Sequence, residues 1–317
     1  MSKFPEALPL SRHITKQRLI RRKTVLMAAR RGILFRGLLI AIELLGCLIW
    51  GSSALFVDAL SGSMDLLASF ALIWCIRRAD VPPDENHPFG HGRFEPVAGL
   101  FIGFLLVFLG VFSGYEQMRL FSSHTLAGAG FFPFAWLIPC LGVLFLELSY
   151  QRAKKAAKKE NSPALMADAV HYRIDALGSL FALIALGLAA FFPSKAHLFD
   201  HAGALFISIL MICVGGVAIK KNLHQLLDQT PDKSYFHTVR EAALSVEGVL
   251  ATEKLRLQSY GPDAHVAIDI EVEPHQSVEE AHALTQQVRR KIQMAWPAVR
   301  DVIVHVEPYY PGDHENG

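Results

Sequence analysis

The sequence predicts a multi-span α-helical membrane domain of six transmembrane helices followed by a small cytoplasmic α+β domain. Three observations predict it. The 317 residues are 52% hydrophobic and 19% charged, with a positive mean hydropathy. That is too apolar for an ordinary soluble chain and too charged for one lying in lipid throughout. Apolar runs long enough to cross a bilayer, about 20 residues each, recur up to residue 220. After Lys221 they stop, and strand-like alternation flanked by helical periodicity takes over.

In order, residues 1–31 form a basic arm, with Arg12, Lys16, Arg18, Arg21, Arg22, Lys23, Arg30 and Arg31 ahead of any long apolar run. No small-residue cleavage site follows, so the arm is expected at a membrane surface rather than as a signal peptide. The expected spans are 32–51, 54–76, 96–119, 131–151, 164–192 and 202–220, within a domain of residues 32–222. Positive charge gathers at Arg77, Arg78 and Arg93, along 152–159, and at Lys220 and Lys221, while the alternate connectors carry almost none. The positive-inside rule then puts both termini in the cytoplasm of a cell whose inner (plasma) membrane holds the chain. Beyond it, 235–246 reads as a helix, 250–258 and 264–272 as strands, 278–296 as a helix and 302–306 as a strand. This αββαβ order describes a ferredoxin-like or metallochaperone-like domain at 228–310, with 311–317 a tail.

Net charge is only +2, which gives nucleic-acid binding no support. The four cysteines lie in apolar runs without a C-x-x-C pair, so neither a disulfide scaffold nor a thiolate metal site is expected. No nucleophile–base pair or phosphate loop appears, and an enzyme is not expected.

The chemistry concentrates where charge interrupts apolar runs. Asp168, His171 and Asp175, in ADAVHYRID at 167–175, fall at i, i+3 and i+7, on one helical face. Charges inside a span are costly and usually face a bundle interior or an ion path. Two carboxylates and an imidazole on one stripe suit a divalent cation. Asp58 and Asp65 repeat the seven-residue separation in another span. Glu43 and Glu147 also lie in spans, as arginine partners or snorkelling groups. A connector holds Asp84, His87 and His91 within eight residues among proline and glycines. It reads either as a small metal site or as a loop held by hydrogen bonds alone.

With these residues in view, the chain resembles the cation diffusion facilitator family of divalent-metal/proton antiporters. The resemblance rests on GSSA at 51–54, DALSGSMD at 58–65, HPFGHGRFE at 87–95, NSPAL at 161–165, ADAVHYRID at 167–175 and LLDQTPD at 226–232, in that order. It implies an intramembrane metal site of Ser61 and Asp65 with His171 and Asp175. Ser61 departs from the usual Asp, His or Asn, leaving three strong ligands with water or hydroxide as the fourth, and Asp58 and Asp168 as supporting groups or proton carriers. It implies a second metal site at Asp84, His87 and His91, and a regulatory one at Glu253, Asp269, His282, His305 and Glu307, with His265 and His275 as substitute ligands. It further implies a homodimer, a charge interlock between Arg93 and Asp228, and export of a divalent metal, zinc first with iron(II) or manganese(II) as alternatives, in exchange for protons. The competing reading is a non-transporting regulatory or scaffold partner of a paralogue with a degraded site, motivated by Ser61.

Overall fold

A computed structural model describes residues 33–34, 36–79, 84–122, 134–159, 163–261 and 263–311, without the side chains of 156–171 and of several positions between 68 and 79. The basic arm and the end of the tail lie outside the described residues. The chain forms two compact units, one from 25–73 and 98–220, the other from 74–97 and 221–317.

Among the described residues, six long helices come first: α1 (residues 36–50), α2 (Ser53–Ala79), α3 (Phe94–Ser122), α4 (Leu137–Lys159), α5 (Pro163–Phe191) and α6 (Ala196–Leu226), with a short 3₁₀ turn at Pro193–Lys195. Among the described residues, three stretches are long and apolar enough to cross a membrane: Phe94–Phe121, Tyr172–Phe191 and Pro193–Leu226. Several boundaries depart from sequence expectation: α4 begins at Leu137 rather than 131 and α6 runs to Leu226 rather than 220, and two further departures have a reason in the residues. The basic stretch after 151, expected as a loop, continues α4 to Lys159, since alanine and lysine are both strong helix formers. Helix α6 begins at Ala196 rather than 202, because the Asp200 charge that suggested a connector is used inside the bundle.

Close approach of α3 and α6 depends on glycine. A Cβ on Gly110 would lie 2.9 Å from the Ser208 carbonyl oxygen, and one on Gly215 would lie 2.9 Å from that of Gly103. Small residues at crossings let membrane helices gain van der Waals contact that apolar bulk alone does not supply in lipid. Ala54, Val57, Met64, Leu106, Ala182, Ala204, Ile207 and Met211 form the buried interior between α2, α3, α5 and α6. Phe101, Phe104, Phe108, Phe112 and Tyr115 stay exposed along one face of α3, as a lipid-facing stripe requires.

In the other unit, α7 (Ser234–Leu244), β1 (Ala251–Tyr260), β2 (Asp263–Val272), α8 (Val278–Ala295) and β3 (Val299–Pro308) follow the expected order. The sheet order is β1-β2-β3, with β1 antiparallel and β3 parallel to β2. A parallel pair needs a crossover, and α8 provides it. Ser277 starts α8 with a capping box, its hydroxyl accepting from the Glu280 amide at 3.3 Å and its own amide donating to the Glu280 carboxylate at 2.8 Å. Strand β3 begins at Val299, three residues earlier than expected, because Val299 pairs with Ala264 and is fully buried. Val266, Ile268 and Ile270 of β2 face Val239, Leu284, Val288 and Ile292 in one core. The opposite sheet face carries the polar residues, in the period of two that an antiparallel pair with one wet face produces.

Candidate metal centres

Within the helical unit, one recess collects the acidic groups that interrupt the apolar runs. Glu43 of α1, Asp58, Ser61 and Asp65 of α2, and Asp175 and Ser179 of α5 line it, together with Arg36 of α1. Spacings of three and four residues put Asp58, Ser61 and Asp65 on one face of α2. Gly178 lets α5 approach, since a Cβ there would stand 3.1 Å from Asp58 Oδ1. Asp58 is buried, and its Oδ2 has no hydrogen-bond partner. Asp175 accepts a hydrogen bond from Arg36 Nη2, and the guanidinium lies 5.3 Å from the centroid of the Tyr172 ring. The backbone of α5 carries His171 and Asp168, but their side chains lie outside the described residues. Of the four intramembrane positions expected, Ser61, Asp65 and Asp175 therefore share a cavity. Glu147 pairs with Arg173, one of the two roles its position suggested.

The amino terminus of α2 is fixed from α6. Ser52 Oγ donates to Asp200 Oδ1 at 2.6 Å, and the amides of Ser53 and Ala54 donate to the same carboxylate at 2.7 and 3.1 Å. Ser52 Oγ in turn accepts from the Leu55 amide. These bonds satisfy donors that a helix start leaves open and place a negative charge at the positive end of its dipole.

In the second unit, the loop before α3 draws Asp84, His87 and His91 together, with ligand atoms within 4.8 Å of one another. It is the only such grouping of three found among the described residues. Asp84 Oδ1 lies 3.3 Å from His87 Nδ1, and Asp84 Oδ2 lies 3.4 Å from His91 Nε2. His91 is buried against Phe94, its Nδ1 without a hydrogen-bond partner. The His87 backbone amide, donating at 2.7 Å, holds the Asp84 carboxyl below its ordinary value, with the His87 ring and the Asn86 amide adding to the effect. An ionised carboxylate beside two imidazoles is a donor set that zinc or a similar ion accepts. Gly90, at φ +89°, makes the turn that folds His91 back towards His87. The later part of the loop lies against the sheet: Phe89 meets the His265 ring edge-on, and a Cβ on Gly261 would strike the Gly92 carbonyl at 2.3 Å. Arg93 Nη2 donates to both carboxylate oxygens of Asp228, at 2.8 and 3.1 Å.

The polar sheet face brings together part of the third expected site. Glu253 pairs with Asp269, and Asp269 with His305, across the three strands, and directly opposed residues share a face. Glu307 follows two residues after His305. A cation of the chain's own stands among them: Lys254 Nζ lies 3.3 Å from Asp269 and 2.9 Å from Glu307. Those carboxylates raise the lysine pKa, and Lys254 takes a positive φ of 40° at an irregularity in the β1–β2 register. His282 sits on α8, where it lines a surface groove with Glu307. The groove does not include Asp269, Glu253 or His305.

Residues 29–227 match the cation efflux transmembrane domain, and residues 231–309 match the cation efflux protein cytoplasmic domain. The chain belongs to the cation diffusion facilitator family. Its members are transporters rather than enzymes. Similar proteins include metal tolerance protein C1 of Arabidopsis thaliana, 29% identical over 86% of this chain and 60% of that protein. The manganese efflux system protein MneP of Bacillus subtilis is 24% identical over 83% of this chain and 89% of its own length. Magnetosome protein MamB of Magnetospira sp. is 28% identical over 81% and 86%. This family member thus spans about three-fifths of the plant relative. A solved copper form of the MamM CTD is 26% identical and covers 25% of this chain and 98% of that one, with a TM-score of 0.24.

Sequence reasoning missed three groups in this family member: Arg36, Asp200 and Lys254. Arg36 had a signal, being an arginine inside the first expected span. Asp200 was hidden by its place inside the expected connector at 193–201. Lys254 gave none, because only the strand register sets it beside Asp269 and Glu307.

Proposed function

We propose that this cation diffusion facilitator exports a divalent transition metal from the cytoplasm in exchange for protons, by alternating access, as a homodimer in the cell's inner membrane. Zinc is the first candidate cargo, with manganese(II) and iron(II) next; the likeness to a manganese efflux protein supports keeping manganese in the set. The observation that carries the reading is the acidic recess among apolar helices, where Asp65, Asp175 and Asp58 gather beside Ser61. Acidic groups are costly there, and a cluster of them facing the bundle interior is the usual mark of an ion path.

In this mechanism Asp65, Asp175 and His171 hold the cargo, with Ser61 or water completing a tetrahedron. Metal binding needs ionised carboxylates and neutral imidazole, so loading releases protons and unloading takes them up. His171 is the proposed exchangeable proton carrier, since imidazole titrates near neutrality. Asp84, His87 and His91 take a second ion. Glu253, Asp269, His282, His305 and Glu307 are the regulatory set, which binds only if metal displaces Lys254 or a second protomer contributes.

A second reading, a non-transporting partner of a paralogue, draws on Ser61 and on the Arg36 pair with Asp175. Reconstituted vesicles containing this protein alone, challenged with zinc, iron(II), manganese(II), cobalt and cadmium, decide between them. Metal uptake coupled to proton flux supports the transporter. Absence of flux with every metal supports the partner reading.

A further inference from the structure

Arg36 occupies a position at which an antiporter would have little use for a fixed positive charge. It is 8% exposed and lines the same recess as Asp58, Ser61 and Asp65. Its guanidinium is committed to Asp175, and both side chains are about nine-tenths covered, at 9% and 11% exposure. Arginine stays protonated in proteins, so it does not make room for a cation by losing its charge. A carboxylate has lone pairs enough to accept a hydrogen bond and ligate a metal, but a guanidinium and a divalent cation sharing one small recess repel. Loading the site is therefore favoured by movement of the guanidinium away from Asp175. Breaking such a pair is expensive unless the abandoned carboxylate gains a new partner at once, and an arriving metal ion is one.

We propose that Arg36 is the resident counter-ion of the transport site: it holds Asp175 while no metal is bound, is displaced as the divalent cation loads, and returns as the cation leaves. The inference rests on the transport reading given above. It makes Arg36 a positioning residue that sets both affinity and release. If the pair is formed in about nine-tenths of metal-free molecules, the apparent affinity for metal is lowered about tenfold. The ion pair joins α1 to α5, so displacement frees those two helices from one polar tie.

The test uses full-length protein in detergent and in proteoliposomes, with cadmium and zinc titrated by calorimetry at neutral pH. Arg36→Gln is expected to bind metal about tenfold more tightly than the wild type. Its maximal transport rate should fall, because release slows. Arg36→Lys, which keeps a charge but lacks the planar fork, should tighten binding by a smaller factor, and it decides the matter if Arg36→Gln does not fold. The melting temperature of the metal-free protein is recorded alongside. A purely structural arginine would lower that temperature without tightening binding. Unchanged or weaker affinity in the folded variants overturns the proposal. Asp175→Asn separates this failure from that of the transport site itself: wild-type affinity in that variant would remove the site, whatever Arg36 does.

Discussion

Asp200 receives the hydroxyl of Ser52 at 2.6 Å and, through the neighbouring amides, fixes the amino terminus of the helix that carries Asp58, Ser61 and Asp65. The bond spans 148 residues of sequence and ties α6 to α2. A buried carboxylate with three donors is satisfied, and its removal leaves those donors without partners inside the bundle.

Asp200→Ala is accordingly expected to destabilise the protein by about 2–3 kcal/mol, the sum of a lost cap and a lost charged acceptor. Thermal melting in detergent would show it as a lower midpoint. Asp200→Asn, which keeps one acceptor oxygen, should lie between.

The transport site makes a sharper demand. Asp65→Ala or Asp175→Ala should reduce metal-dependent proton flux in proteoliposomes to background, because each removes an acidic side chain from the recess proposed to hold the cargo. Wild-type flux in both variants would end the assignment.

In the proposed site, Ser61 is the position expected to set metal preference. Ser61→Asp adds a hard oxygen ligand and should shift preference towards manganese(II) relative to cadmium. Competition transport between those two ions measures it. An unchanged ratio means that Ser61 does not touch the cargo.

The loop that carries Asp84, His87 and His91 gives a stoichiometric prediction. His91→Ala should lower the metal bound per protomer by one, while Asp65→Ala leaves the loop ion in place. Atomic absorption on desalted protein reads both. His91 is the more informative target than His87, because its ring is buried with a free nitrogen and has no other task that the hydrogen bonds reveal.

His265 supplies a pH dependence. Burial holds its pKa below the ordinary value, with Asp301 and Asp263 opposing weakly. The folded chain therefore binds fewer protons there than the unfolded one. Stability from this group is present above the unfolded value of about 6.5 and is lost as pH falls below it. Protection of the β2 amides, taken relative to their intrinsic exchange rate at each pH, should fall between pH 7.5 and 5.5 in the wild type, and less so in His265→Gln.

Much of this was legible beforehand. Helices from α2 to α6 follow from apolar length, and β1, β2 and α8 from period and capping residues, because those signals are local. Asp84, His87 and His91 were legible for the same reason: eight residues with proline and glycine cannot place them far apart. The soluble-domain set was less so. Its members come from three strands and a helix, and whether they meet is a matter of register rather than of spacing. The sequence shows Glu253 and Asp269; it does not show that a lysine one residue on would turn between Asp269 and Glu307.

Residue order alone determined that this is a membrane protein with a small α+β domain, and where charge interrupts its apolar runs, since hydropathy and helical period act over a few turns of chain. Tertiary structure decided the partners of those charges. Arg36 meets Asp175 across 139 positions, and Asp200 meets Ser52 across 148. The physical reason is the cost of an unpaired charge away from water, which a folded bundle lowers by bringing together groups that the chain keeps far apart.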